Sequence, residues 1–215
     1  MQERHSASFA LIAYASAYLK CHHPAAFLAG LLNAWPMGFY NPATLVKDAQ
    51  RHDVEVRGID VIRSEWMCTL EGKASPAMRI GLRFAAGLRE ETAVKLVAER
   101  NRRTFRDLPD LADRVPFRRD NLEALAELGA LSQLAGSGRR DALWQVAALE
   151  RDRDSLFAGR AIARPAASRG TTPASAASPL PPMTEIEETL ADYRLSGVTT
   201  GVHVMAHLRL SRIHN

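Results

Sequence analysis

The sequence predicts a mainly α-helical protein with a small β element, and three observations support this fold class. Apolar residues recur at helical spacing over residues 6–33 and again from about residue 84 to 158. Residues 54–57 alternate apolar and polar side chains, which is typical of a strand. Residues 160–182 are mostly Ala, Pro, Ser, Thr, Gly and Arg, and this composition predicts a disordered linker, because it offers few large apolar side chains to bury.

Proline marks the helix starts that we predict in the N-terminal part. Pro24 divides the first helical run in two, because proline disfavours helix in the residue before it and fits the first turn of the next helix. A third helix is predicted over about residues 42–52. Short strands are expected near residues 67–70 and 78–82, where they would form a small sheet with residues 54–57.

The C-terminal part contains one further helix signal. Thr184 and Glu187 have the spacing of a capping box, in which the N-cap residue and the third helical residue satisfy each other's backbone N–H groups. This pattern predicts a helix over residues 184–193.

Composition and charge limit the environment and the partners of the chain. The 215 residues include 28 Lys and Arg against 24 Asp and Glu, and the formal charge of +4 permits a polyanionic partner without requiring one. Two cysteines are too few for a disulfide framework, which favours a reduced, cytoplasmic setting. No apolar run in the sequence approaches the roughly 20 residues of a membrane span, so we expect no membrane partner.

Two glycine-centred turns are the strongest motif of the helical region. Gly87 precedes a helix predicted over residues 94–100, and Gly129 is followed by Arg139 and Arg140 ahead of another helix. A glycine before a helix lets backbone N–H groups point outward at the positive end of the helix dipole, which suits a DNA phosphate. Two such units resemble a tandem helix-hairpin-helix DNA-binding module. Periodicity alone favours a simpler interpretation, in which both glycines are ordinary C-caps in an all-α bundle.

The charges in this region indicate a few phosphate contacts rather than a basic block. Residues 87–160 contain 14 Lys or Arg and 13 Asp or Glu, a net charge of +1. The basic clusters are residues 100–103, 118–119 and 139–140. We therefore expect binding to the DNA backbone with a shallow salt dependence and no sequence-specific base readout.

The sequence contains no motif for independent catalysis. There is no GxxxxGK[ST] phosphate loop, no GxSxG nucleophile elbow and no HExxH zinc motif. Cys21, His22 and His23 are adjacent and would point in different directions on a helix, so we expect no metal site there.

Several stretches together carry a family resemblance. They are residues 3–10, 14–20, 23–27, 36–40, 45–49, 51–52, 54–56, 60–61, 64–66, 79–83, 87–88, 192–197 and 203–209. They resemble the bacterial C-family DNA polymerases, the α-subunit type of DNA polymerase III, and more narrowly their error-prone, damage-associated paralogue.

The resemblance implies a division of the chain into five parts. Residues 1–53 would be the C-terminal part of the polymerase fingers, 54–83 a strand-rich connector, 84–159 a tandem helix-hairpin-helix domain, 160–183 the linker, and 184–215 a truncated helical stub leading into an OB-fold.

The resemblance also predicts that this chain is inactive by itself. In the family, catalysis depends on palm aspartates that bind Mg²⁺, and these lie upstream of the similar segment. Met1-Gln2 stands where the family usually has Gly-Phe, and Val204 stands where proline is usual. We therefore expect an internal fragment of an error-prone DNA-directed DNA polymerase, a nucleotidyltransferase of translesion synthesis and DNA repair, with no cofactor in this chain.

Candidate site residues follow from the same resemblance. Arg4, His5 and Lys20 are expected near nucleotide or template, although Lys20 fits a solvated helix residue and His5 fits helix packing. The resemblance also favours duplex contact over a C-cap at Gly87. The residues expected to bind duplex or primer-template DNA are Gly87, Leu88, Arg89, Gly129, Ala130, Arg139 and Arg140, with the last two as phosphate clamps.

Two other functions stay open at this point. In one, the chain is a non-catalytic helix-hairpin-helix module that binds duplex DNA weakly. In the other, it is a functionless gene remnant whose fingers helices expose apolar surface and aggregate. Other translesion or replication proteins are partners that only the resemblance implies.

Overall fold

The chain folds into helices around one hydrophobic core, with a small sheet among them. The computed structural model describes residues 2–38, 40–73, 75–136, 138–153, 178–179 and 181–206, without the side chains of residues 2–5 and 150–153. Helices dominate these residues and the strands are short, so the predicted fold class is confirmed. Most of the predicted linker lies outside the described residues, and the five-part division of the chain stays a prediction.

Three helices form the N-terminal part, as predicted. They are α1 (Gln2–His22), α2 (Pro24–Asn33) and α3 (Pro42–Arg51). Pro24 occupies the first turn of α2, and the Asn41 side chain caps α3 by accepting the Ala43 N–H at 2.9 Å. α2 and α3 bury apolar side chains in the core, whereas α1 packs mainly against α2 and leaves most of its own side chains exposed.

Three short strands form the predicted sheet. They are β1 (Val56–Arg57), β2 (Thr69–Glu71) and β3 (Ala77–Arg79), in the order β1-β3-β2. β3 pairs in parallel with β1 and antiparallel with β2, which places Met78 opposite both Val56 and Leu70. Met78 is fully buried, so the central strand joins the sheet to the helical core.

The remaining helices pack on the sheet and on one another. They are a 3-10 helix η1 (Leu82–Phe84), then α4 (Glu90–Arg102), α5 (Leu108–Arg114), α6 (Arg119–Glu127), α7 (Ser132–Ala135) and α8 (Arg139–Arg153). Their fully buried leucines and valines share one core with α2, α3 and β3; these are Leu82, Leu96, Leu108, Leu111, Val115, Leu125, Leu131 and Val146.

A further helix, α9 (Glu185–Ser196), lies against this body. The capping box predicted at Thr184 and Glu187 is present, and both of its hydrogen bonds form. The Leu195 carbonyl accepts the Ala86 N–H at 2.8 Å, just before Gly87, and Gln50 of α3 donates to the Thr200 carbonyl at 2.8 Å. α9 and the turn after it therefore contact two separate parts of the chain, the segment before Gly87 and α3.

Candidate nucleic-acid interface

Residues 85–89, the first hairpin turn, lead directly into α4. Gly87 has a positive φ of 75°, a conformation that glycine adopts without steric cost. Leu88 anchors the turn, because its side chain is buried in the core and its N–H donates to the Ala85 carbonyl at 3.2 Å. Arg89 is the exposed N-cap residue of α4.

The N-terminus of α4 presents free hydrogen-bond donors. The N–H groups of Arg89, Glu90 and Glu91 have no acceptor among the residues that the structure describes, and the N–H groups of Thr92 and Ala93 donate to the Arg89 carbonyl. Such donors, at the positive end of a 13-residue helix, suit an anion. Glu90 and Glu91 lie in the same turn, and their negative charges would oppose the binding of a phosphate.

Asn121 lies beneath the first hairpin turn and was not among the residues predicted from the sequence. It is 2% exposed, and its Nδ2 atom has no hydrogen-bond partner in the described part of the chain. A Cβ atom on Gly87 would lie 3.3 Å from that nitrogen. The first turn of α6 therefore borders the first hairpin turn. Its only sequence signal is a polar residue directly before the apolar Leu122 and Leu125.

Residues 128–131, the second hairpin turn, use their glycine differently. Gly129 also has a positive φ, of 76°, but its N–H donates to the Ala126 carbonyl and the Ala130 N–H donates to the Leu125 carbonyl. These two bonds form a Schellman motif that ends α6, as the simpler interpretation of this glycine predicts. Ala130 is buried, and its carbonyl accepts the Val61 N–H at 3.1 Å. Both turn N–H groups are occupied, and DNA contact by Gly129 and Ala130 stays a prediction.

Arg139 crosses the second hairpin turn and is held by α9. Its Nη1 atom donates to Asp192 Oδ1 at 2.6 Å and to the Glu127 carbonyl at 3.1 Å, and its Nε atom lies 3.6 Å from Glu188 Oε1. A Cβ on Gly129 would lie only 3.0 Å from the same Nε. Gly129 therefore leaves room for the Arg139 side chain, which is 16% exposed.

Arg140 also pairs with α9. Its Nη2 atom lies 3.3 Å from both carboxylate oxygens of Glu187, while its Nε is buried without a partner in the described residues. The pKa of Glu187 is lowered, first by the Thr184 N–H and hydroxyl of the capping box and then by Arg140. Both predicted phosphate clamps are thus paired with carboxylates of the same chain.

Most other arginines of the predicted basic clusters are engaged as well. Arg100 is 9% exposed and donates to the carbonyls of Val61 and Ser64 and to Glu65, which ties α4 to the loop after β1. Arg102, Arg103 and Arg119 each pair with a nearby carboxylate. Among the residues that the structure describes, Arg89 and Arg118 are exposed arginines of the hairpin region without an ion pair.

The three residues predicted near nucleotide or template lie on α1. Lys20 pairs with Asp48 of α3 at 2.8 Å, and this contact lowers the pKa of the Asp48 carboxyl. The pair is exposed and fits the solvated interpretation of Lys20. Arg4 and His5 belong to α1, but their side chains lie outside the described residues.

Comparison with known proteins supports the hairpin assignment. Residues 53–142 match the family model described as "Helix-hairpin-helix motif". The match includes the sheet and both hairpin turns, so it crosses the predicted boundary between connector and hairpin domain.

Nearly the whole chain is also similar to proteins named "Error-prone DNA polymerase". The identity is 46% over 209 residues with the protein of Alkalilimnicola ehrlichii, 49% over 210 residues with that of Bordetella parapertussis, and 44% over 209 residues with that of Pseudomonas aeruginosa. Each alignment covers 96% of this chain but only 19% of the relative. The chain matches one segment of error-prone DNA polymerases. The predicted resemblance is confirmed.

The described residues show neither a metal site nor a membrane span. Within the described ranges, no group of three His, Cys, Asp or Glu side chains is placed to hold a metal ion. None of the helices described has both the length and the apolar character that crossing a bilayer requires.

Proposed function

We propose that the chain binds the backbone of duplex DNA through its first hairpin turn, as a segment of an error-prone DNA polymerase. The observation that carries this proposal is that the N–H groups at the start of α4 have no acceptor among the described residues and lie beside Arg89, which is exposed and has no ion pair there. Gly87 gives the turn its shape and Leu88 fixes it to the core, so the donors are held in place before DNA arrives. Backbone N–H groups and arginine are typical phosphate ligands, and none of these contacts reads a base.

The second hairpin turn has a smaller proposed share in the binding. Gly129 and Ala130 shape the turn, and Arg139 and Arg140 are the groups that would contact phosphate. Since both arginines pair with α9, we expect their contribution to be weaker than that of Arg89.

The N-terminal helices suggest a second role within a larger polymerase. Phe9, Leu11, Ile12 and Tyr14 of α1 are 62–71% exposed. A helix with apolar residues on all sides is normally buried, so we propose that α1 packs against further polymerase polypeptide. Arg4, His5 and Lys20 would then lie near nucleotide or template.

Nucleotidyl transfer itself is proposed for the complete polymerase and not for this segment. It would depend on the Mg²⁺-binding palm aspartates that the family resemblance implies. The two cysteines of the chain, without a disulfide framework, support a cytoplasmic setting for this activity.

A charge-reversal pair tests the DNA-binding proposal. Arg89→Glu should weaken binding to a fluorescein-labelled 20-base-pair duplex by roughly tenfold in low salt, because a charged phosphate contact becomes a repulsion. Lys95→Glu is the matched control, since Lys95 is exposed on the same helix about two turns further along. Fluorescence anisotropy would measure both. Equal loss in the two variants would contradict a site at the first hairpin turn.

A further inference from the structure

α9 is acidic on the side that faces the second hairpin turn. It carries Glu185, Glu187, Glu188 and Asp192 against the single Arg194, a net charge of −3. Three of the four carboxylates lie beside Arg139 or Arg140, and Arg194 pairs with Glu127 at the end of α6. The charges of α9 thus complement those of the two predicted phosphate clamps.

These carboxylates engage the arginines as phosphate oxygens would. A guanidinium binds carboxylate and phosphate with the same planar array of N–H donors, and charge-assisted bonds of this kind are short. The Arg139–Asp192 bond, at 2.6 Å, has that character. Asp192 is itself fixed, because its second oxygen accepts the Thr199 hydroxyl at 2.8 Å.

The two ends of α9 are held in different ways. Near the two arginines, Ile186 and Leu190 are 48% and 55% exposed and ion pairs dominate, whereas Leu195 at the C-terminal end packs on the hydrophobic core and its carbonyl accepts the Ala86 N–H. Phosphate can therefore compete for the ion pairs at the first end while the second end stays in place, since such pairs weaken with salt and with competing charge.

We propose that α9 is an acidic cover that occupies the phosphate-binding surface of the second hairpin turn, so that duplex DNA and α9 compete for Arg139 and Arg140. This inference rests on the proposed DNA binding and adds a regulation of it. DNA first binds the open first hairpin turn, and the second contributes once its arginines exchange carboxylate for phosphate.

Two single substitutions in one helical turn test the competition. Glu187→Gln removes the charge opposite Arg140 and keeps the capping box, in which glutamine also serves. Glu185→Gln removes the same charge from the same turn at a position with no ion pair in the described residues. Duplex affinity is measured by fluorescence anisotropy at about 50 mM salt, a concentration at which surface charges are weakly screened.

The cover predicts a specific gain in affinity. Glu187→Gln should tighten duplex binding by about two- to fivefold relative to Glu185→Gln, the range expected for releasing one exposed ion pair. Arg140→Ala should abolish that gain in the Glu187→Gln background. Equal affinities of the two glutamine variants, or weaker binding by Glu187→Gln, would overturn the cover.

Failure of the cover and failure of DNA binding give different results. If the unchanged chain binds duplex DNA and loses binding with Arg89→Glu, but Glu187→Gln matches Glu185→Gln, only the cover is wrong. If the unchanged chain and all variants show no salt-sensitive binding, the proposed function fails and the cover fails with it.

Discussion

The two hairpin turns share a glycine with a left-handed backbone, yet they present different chemistry to the solvent. At the first turn, Gly87 precedes a helix, and the N–H groups of residues 89–91 have no acceptor among the described residues. At the second, Gly129 ends a helix, and its N–H and that of Ala130 are consumed by the C-cap. A glycine-centred turn therefore offers anion donors only where the helix that follows supplies them.

Like the N–H groups, the arginine beside the first turn is open to a partner and the arginine beside the second is engaged. Arg89 is exposed and unpaired in the described part of the chain, whereas Arg139 is largely buried between Gly129 and two carboxylates of α9. One arginine is available for a partner, and the other is already part of the fold. Substitutions at the first turn should therefore change DNA binding more than those at the second. Substitutions around Arg139 should change stability more than those around Arg89.

The largest expected effect is on stability, at Asp192. Asp192→Ala leaves the buried Arg139 guanidinium without its main partner and should lower the free energy of unfolding by about 3 kcal/mol. Arg89→Ala, at an exposed side chain, should change it by less than about 0.5 kcal/mol. Urea unfolding followed by circular dichroism measures both. Similar stabilities of the two variants would show that Arg139 is no more integrated in the fold than Arg89.

The second-largest expected effect distinguishes Gly87 from Gly129. Alanine at position 87 or 129 must adopt a positive φ, so each substitution should cost about 1–2 kcal/mol of stability. Gly87→Ala should also weaken duplex binding more than Gly129→Ala does, because its Cβ presses on Asn121 and shifts the turn that holds the free N–H groups. Thermal unfolding and duplex anisotropy on the same samples test this. A greater loss of DNA binding in Gly129→Ala would reverse the assignment.

Local signals made the elements predictable from the sequence, and distant contacts limited the prediction of the site. Pro24, Pro42 and the capping box at Thr184 act within a few residues, and the helices they predict are present. Which partner an arginine chooses depends on tertiary packing: Arg139 pairs with Asp192, 53 residues further along the chain.

Gly129 shows the same limit at the level of a single motif. Periodicity favoured a C-cap at Gly129 and left a DNA-contacting turn open, and the hydrogen bonds of its N–H and of the Ala130 N–H identify it as a cap. Asn121 had no distinguishing pattern, because its position beneath Gly87 arises from the packing of α6 beside the first hairpin turn.

The smallest expected effect is on the pH dependence of stability, at Glu187, which pairs with Arg140 beside the second turn. The pKa of Glu187 is lowered from 4.5, first by its capping-box bonds to Thr184 and then by Arg140. A lowered carboxyl pKa adds stability above pH 4.5 that is lost as the pH falls through the lower value of the folded state. The stability difference between the unchanged chain and Glu187→Gln should therefore shrink on acidification. A difference that is constant from pH 7 to pH 3 would contradict a charged Glu187 in α9.

Nuclear magnetic resonance of the ¹⁵N-labelled chain during titration with a short duplex compares the two turns most directly. The backbone amide signals of residues 87–91 should shift at the lowest DNA concentrations. Signals of residues 138–140 and of α9 should follow only at higher concentrations, when the arginines leave their carboxylates. Shifts that begin at residues 138–140 while the signals of residues 87–91 stay unchanged would contradict the claim that DNA binds first at the first hairpin turn.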